Sequence, residues 1–183
     1  MTKQVQSQFK VKLRRPAKMP EGDTPWAFII LPKVESDKLP RRGRTSVFGT
    51  INGQSFHATL EPDGQLSHWL KIDQHLLEKA GADIGDNVTF TINPVAQEPE
   101  PDLPADLQKA LAASAQARAA WDSATTIARV DWIHWITTAK QAKTRAERVG
   151  TACSMLASGK RRVCCFDPSG FYSKALSSPK EAS

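Results

Sequence analysis

RTSVFGTINGQSFHATL, residues 44–60, decides the fold of the first half of this chain. Asn52-Gly53 sits between two β-rich arms, and Asn-Gly favours the positive φ values of a type I′ turn, so the stretch predicts a two-stranded hairpin. A second turn, Glu61-Pro62-Asp63-Gly64, leads into LSHWLKI (66–72), an alternating strand. Upstream, WAFIILP (26–32) is a continuous apolar run of strand length that ends on a proline. Further upstream, Phe9, Val11 and Leu13 alternate with Lys10, Lys12 and Arg14, the period of a half-buried strand. Downstream, DQHLLEKAG (73–81) predicts one short helix, with Asp73 as N-cap and Gly81 as its stop. The Gly85-Asp86 turn then opens a last strand carrying Val88, Phe90 and Ile92. Five or six strands, one short helix and no βαβ crossover describe a small closed or partly closed barrel.

NPVAQEPEPDLP, residues 93–104, holds four prolines and three acids with no apolar periodicity. Such a stretch fits neither a central strand nor a helix interior. The expected organisation is therefore a barrel over 1–93, a Pro-rich acidic linker over 94–104, and a helical domain with a basic tail over 105–183. In that second part Pro104-Ala105-Asp106 opens a helix, Ser114 caps the next, and Thr125 or Thr126 starts a third. On the third, Ile127, Val130, Ile133 or His134, and Thr137 share a side that Trp132, Trp135, Ile136 and Ala139 widen. Thr144-Arg145-Ala146-Glu147 has the form of a capping box for a fourth helix, which Gly159 ends. The fold class is α+β: a small barrel followed by a bundle of about four short helices.

The 183 residues, 40% of them hydrophobic, suffice for one good core or two small ones. No apolar run approaches the roughly 20 residues of a membrane span, and MTKQVQSQFKVKLRR lacks the apolar core of a secretory signal. The expectation is a cytoplasmic protein without membrane insertion. Cys153, Cys164 and Cys165 are an odd set with two neighbours, which points to reduced thiols rather than a disulfide framework.

The net charge of +6 is unevenly spread. Residues 107–183 carry 12 Lys or Arg against 5 Asp or Glu, a balance of +7, whereas 1–106 carry 13 against 14 and stand at −1. Lys140, Lys143, Arg145 and Arg148, with Lys160, Arg161 and Arg162, form the candidate anion or partner surface. Missing from it are interleaved aromatics for stacking on single strands and a set of side chains for base readout. In the first half His57, His68 and Trp69 are the polar and aromatic group available at a barrel mouth for a small molecule. With His75 the histidines lack the local spacing of known metal motifs, so neither a metal nor a cofactor is expected. His134, between Trp132 and Trp135, is read as a packed helix residue. Cys153 is expected in the helical core. Cations 160–162 would lower the pKa of a neighbouring thiol at Cys164 or Cys165, although a structural role for that pair is the plainer reading.

WAFIILP, GTINGQSFHATLEPDGQLSHWLKI and AGADIGDNVTFTI together resemble a widespread bacterial barrel domain of unknown function. LPADLQKAL, WIHWITTAKQAKTRAERV and MLASGKRRVCCFD resemble the YdeI/OmpD-associated family, often labelled bacteriocin-protection. The first resemblance implies a barrel of the double-split kind, a relative of the swapped-hairpin AbrB-like barrels. The second supplies no catalytic residues to carry over. The expected function is a non-enzymatic bacterial binding or stress-protection protein whose basic helical surface docks on an anionic partner. A nucleic-acid-binding or regulatory role, and a small-molecule barrel or enzyme, are the alternatives.

Overall fold

Asn52 and Gly53 take φ values of +47° and +84°, both in the left-handed region that a type I′ turn requires. In the computed structural model, which describes residues 6–163 and 177–183, they join β3 (Thr45–Ile51) to β4 (Gln54–Pro62) with Ile51 opposite Gln54. The tip is tied sideways as well, because the Asn52 backbone and side chain bond the backbone of Thr89 on β6 (Asn87–Pro94) at 2.9 and 3.0 Å. With β1 (Ser7–Lys12), β2 (Ala27–Ile30) and β5 (His68–Ile72), these strands make one antiparallel six-stranded sheet in the order β1-β6-β3-β4-β5-β2. Just past β1, Arg14 and Phe28 exchange backbone bonds of 2.9 and 3.0 Å, so the two edge strands meet. The inward phase of each strand packs Leu13, Ile29, Val47, Ile51, Leu60, Leu70, Ile72, Phe90 and Ile92 into the first core.

Gly49 lets β3 lie against β6: a Cβ there would sit 1.8 Å from the Thr91 carbonyl oxygen. Asp63 holds the second turn, its carboxylate accepting from the backbone N–H groups of Gln65 and Ser67 at 2.7 and 2.8 Å. Helix α2 (Gln74–Ala80) starts at Asp73, which accepts from Leu76 N–H, and stops at Gly81 with φ +60°. The strand pattern gave no hint of α1 (Lys33–Ser36), a single turn that follows Pro32.

Helices α3 (Ala105–Ala112), α4 (Ala115–Ser123), α5 (Thr126–Thr137) and α6 (Ala142–Ala157) build the second core, in which Leu107, Leu111, Trp132, Ile136, Ala152 and Leu156 are almost fully buried. Ser114 caps α4 through its hydroxyl as expected, and of the two candidates for α5 it is Thr125 that caps, with Thr126 already inside the helix. The capping-box expectation for α6 is corrected, because that helix begins at Ala142 with Gln141 as N-cap and Thr144 already inside it. Its C-terminus follows the Schellman pattern: Gly159 (φ +92°) and Lys160 donate N–H groups to the Leu156 and Met155 carbonyls, both at 3.0 Å. On α5, Ile127 is exposed and does not share the buried side with Val130.

The chain divides into two units, the described parts of Met1–Gln97 with Ser177–Ser183, and of Glu98–Leu176. Two boundaries differ from the sequence reading. Asn93 and Pro94 belong to β6, opposite Phe48 and Val47, because a proline is tolerated at a strand end. The last residues, expected with the helices, pair instead with residues 15–17 of the sheet unit.

Candidate functional site

The cations proposed as one basic surface meet different fates. Arg145 reaches from α6 to the first turn of α3 and grips Asp106 with two bonds, 2.7 and 3.2 Å. That guanidinium holds the Asp106 carboxyl below its usual pKa, and the carboxylate also accepts from Leu107 N–H, where a helix N-terminus favours negative charge. Arg148 corrects the surface reading outright, since it is buried, with 7% of its area exposed. It donates to the Trp135 carbonyl at 2.6 Å and to Thr138 Oγ1 at 3.1 Å, and its guanidinium lies 5.5 Å from the Trp135 ring centre. It thus serves the open carbonyl end of α5, and burial pushes its pKa down. The spacing of three that suggested a shared face is real, but that face points at α5 and α3.

Lys140, Lys143, Lys160, Arg161 and Arg162 remain exposed. Lys140 and Lys143 lie at the start of α6 and 160–162 beyond its end, so a helix of sixteen residues, about 24 Å long, separates the two groups. The Arg161 backbone carbonyl accepts from the Trp132 indole at 3.3 Å, which fixes the chain exit against the core.

The barrel-mouth group does not assemble. His57 is exposed on β4 and stands against Phe48, its cross-strand partner, with ring centres 6.1 Å apart. His68 is buried at the start of β5, while Trp69, the next residue, turns to the other side and meets Phe28 edge-on. Strand alternation forces that separation. His68 Nε2 lies 3.1 Å from the Gly43 carbonyl, which only accepts, so Nε2 carries the proton and Nδ1 accepts from Ser36 Oγ at 2.7 Å. Burial keeps the ring neutral by lowering its pKa. The arrangement clamps α1, the 41–44 loop and β5 together, and Ser36 is itself buried. His75 is exposed on α2. A cleft of about 460 Å³ does lie beside α2, lined by residues that include Pro25, Gln74, Leu77 and Ile84, with none of the three proposed residues in its wall.

His134 is buried in α5. Cys153 is partly buried against the helical core, and its thiol is pushed up by desolvation rather than activated. Cys164 and Cys165 lie outside the described residues. Among the described residues no three His, Cys, Asp or Glu groups come together as a metal would need, and no helix is long and apolar enough to cross a membrane. Sequence reasoning passed over Ser36 and Glu181. Ser36 lies in an unremarkable polar stretch, and Glu181 becomes significant only because the tail returns to Lys12 and Arg14.

Residues 9–92 match the family model described as a domain of unknown function, DUF1905. Residues 100–159 match the model described as Bacteriocin-protection, YdeI or OmpD-Associated. A comparison with curated proteins gave no match. The chain thus matches two family models in tandem, DUF1905 over the sheet unit and YdeI/OmpD-associated over the helical unit.

Proposed function

We propose that this is a non-enzymatic binding protein with a protective role of the kind that the bacteriocin-protection description names, acting in the cytoplasm through cations of the helical unit on an anionic partner. The observation that carries the reading is the division of labour among the cations on and beside α6. Arg145 and Arg148 are committed to holding helices together, whereas Lys140, Lys143, Arg161 and Arg162 are exposed and have no acidic partner among the described residues. Exposed cations of this kind attract an anionic partner and steer its approach. The sheet unit is then a scaffold. Its edge strands meeting at Arg14 and Phe28 support a double-split, AbrB-like barrel as the finer description.

The test is retention of the full chain on a phosphate-bearing matrix. Reversal of Lys140, Lys143, Arg161 and Arg162 to Glu is expected to abolish retention with the melting midpoint unchanged, while His57→Ala leaves retention as it was. Retention that survives the four reversals sinks the reading. A gel shift with single- and double-stranded DNA at low and moderate salt separates a nucleic-acid partner, whose binding falls steeply with salt, from an acidic protein.

A further inference from the structure

Ser177–Ser183 follows the helical unit in sequence yet packs with the sheet unit. Its backbone runs antiparallel to residues 15–17: Ala17 N–H donates to the Lys180 carbonyl at 2.7 Å, and Ala182 N–H donates to the Arg15 carbonyl at 2.8 Å. Pro16 and Glu181 face each other between these bonds. The register suits a proline, because the central pair of such a ladder exchanges no hydrogen bond and asks for no N–H. Ser178 N–H adds a bond of 3.1 Å to the Asp63 carbonyl. The Glu181 carboxylate lies 2.8 Å from Arg14 Nη1 and 3.9 Å from Lys12 Nζ.

Residues 15–17 therefore present a strand edge whose free backbone groups point one way, since Arg14 spends its own on Phe28. The edge is lined by cations. One carboxylate of the tail serves Lys12 and Arg14, and the exposed Arg15 and Lys18 have no acidic partner among the described residues. The hold on the occupant is short, three backbone bonds among the described residues, and its two ion pairs are solvent-exposed and add little. We propose that residues 15–17, flanked by the side chains of Lys12, Arg14 and Lys18, are a recognition edge for an extended acidic peptide, which adds as a strand, and that residues 177–183 of this chain occupy the edge in cis as a displaceable plug. Backbone pairing supplies the generic affinity, and the row of cations selects an acidic sequence. An intramolecular plug competes at high effective concentration, so an outside peptide gains access when the tail is weakened. The proposal uses none of the helical cations and stands or falls apart from them.

The probe is a fluorescein-labelled peptide of the tail sequence SSPKEAS, followed by fluorescence anisotropy against the full chain. Glu181→Lys is expected to raise its affinity by about tenfold or more over the unmodified chain. Ala182→Pro, which removes the N–H donated to Arg15 without changing charge, is expected to do the same. A probe with lysine in place of its glutamate loses binding. Adding Arg14→Glu to Glu181→Lys restores the plug by charge exchange and shuts the original probe out. Equal binding by all chains, or binding that survives Arg14→Glu, overturns the proposal. A chain that sediments as a dimer, and as a monomer after Glu181→Lys, also overturns it, because the tail then docks between copies. Circular dichroism melts check that each variant is folded, and the two tail variants act through different atoms, so misfolding of one leaves the other decisive.

Discussion

A Cβ on Gly49 would meet the Thr91 carbonyl oxygen at 1.8 Å, and that oxygen belongs to a strand already paired on both sides. Backbone held in that way cannot move aside cheaply, so Gly49→Ala is expected to cost about 2 kcal/mol or more, read as a lower urea midpoint. Gly53 has open space around it but a φ of +84°, so Gly53→Val acts through backbone strain alone, at about 1 kcal/mol or more. The turn was legible because Asn-Gly encodes its dihedral angles locally; Gly49 was not, because nothing in its neighbours says which strand lies opposite. His68 adds a dependence on pH. Burial lowers its pKa from 6.5, so the unfolded chain takes up the proton first as pH falls. The stability it contributes is complete above about pH 6.5 and is lost as pH drops toward the lowered folded value. Melts between about pH 7 and 5 are expected to show a shallower decline in His68→Gln than in the unmodified chain.

Helix α6 shows how an element converts surface-looking residues into structure. Arg148 stands between α6 and the carbonyl end of α5, where it satisfies the Trp135 carbonyl and covers the Trp135 ring. Arg148→Ala leaves that carbonyl without this donor and opens a void, with an expected loss of about 2 to 4 kcal/mol. Arg145 is three residues away and bonds Asp106 in partial exposure, so Arg145→Ala is expected to cost less than about 1 kcal/mol. Thermal melts of the two variants side by side check the contrast; equal midpoints would place Arg148 on the surface after all. Helix positions, and the caps of α4 and α5, followed from spacing and from Ser114 and Thr125. Which cations of α6 were free did not, because spacing defines a face but not what that face meets.

For the whole molecule the chain passes between its two units twice, near residue 97 and again before residue 177. The linker is anchored at both ends, by the pairing of Asn93 and Pro94 in β6 and by Glu100, which accepts from Arg129 at 3.0 Å and from Thr126 at 2.9 Å. Limited proteolysis is therefore expected to cut first between residues 96 and 99, beyond the bond of 3.1 Å from Val95 N–H to the Ser46 carbonyl. Mass spectrometry of the first fragments checks this, and initial cleavage inside β3 or β4 would contradict it. Residues 177–183 of the C-terminal fragment are bonded to residues 15–17 and 63 and paired with Lys12 and Arg14 through Glu181, so Glu181→Lys is expected to hasten separation of the fragments on gel filtration.

The amino-acid sequence by itself determined the α+β class, the hairpin at Asn52-Gly53, the stops at Gly81 and Gly159 and the change from strands to helices across the prolines. Each of these rests on φ preference, side-chain period or a missing N–H, which act within a few residues. Tertiary structure alone decided that His57, His68 and Trp69 diverge, that Arg148 is interior, and that the C-terminus returns to pair with Arg15 and Ala17. Those outcomes depend on contacts between residues far apart in sequence, whose partners are chosen by packing and by the completion of backbone hydrogen bonds rather than by local pattern.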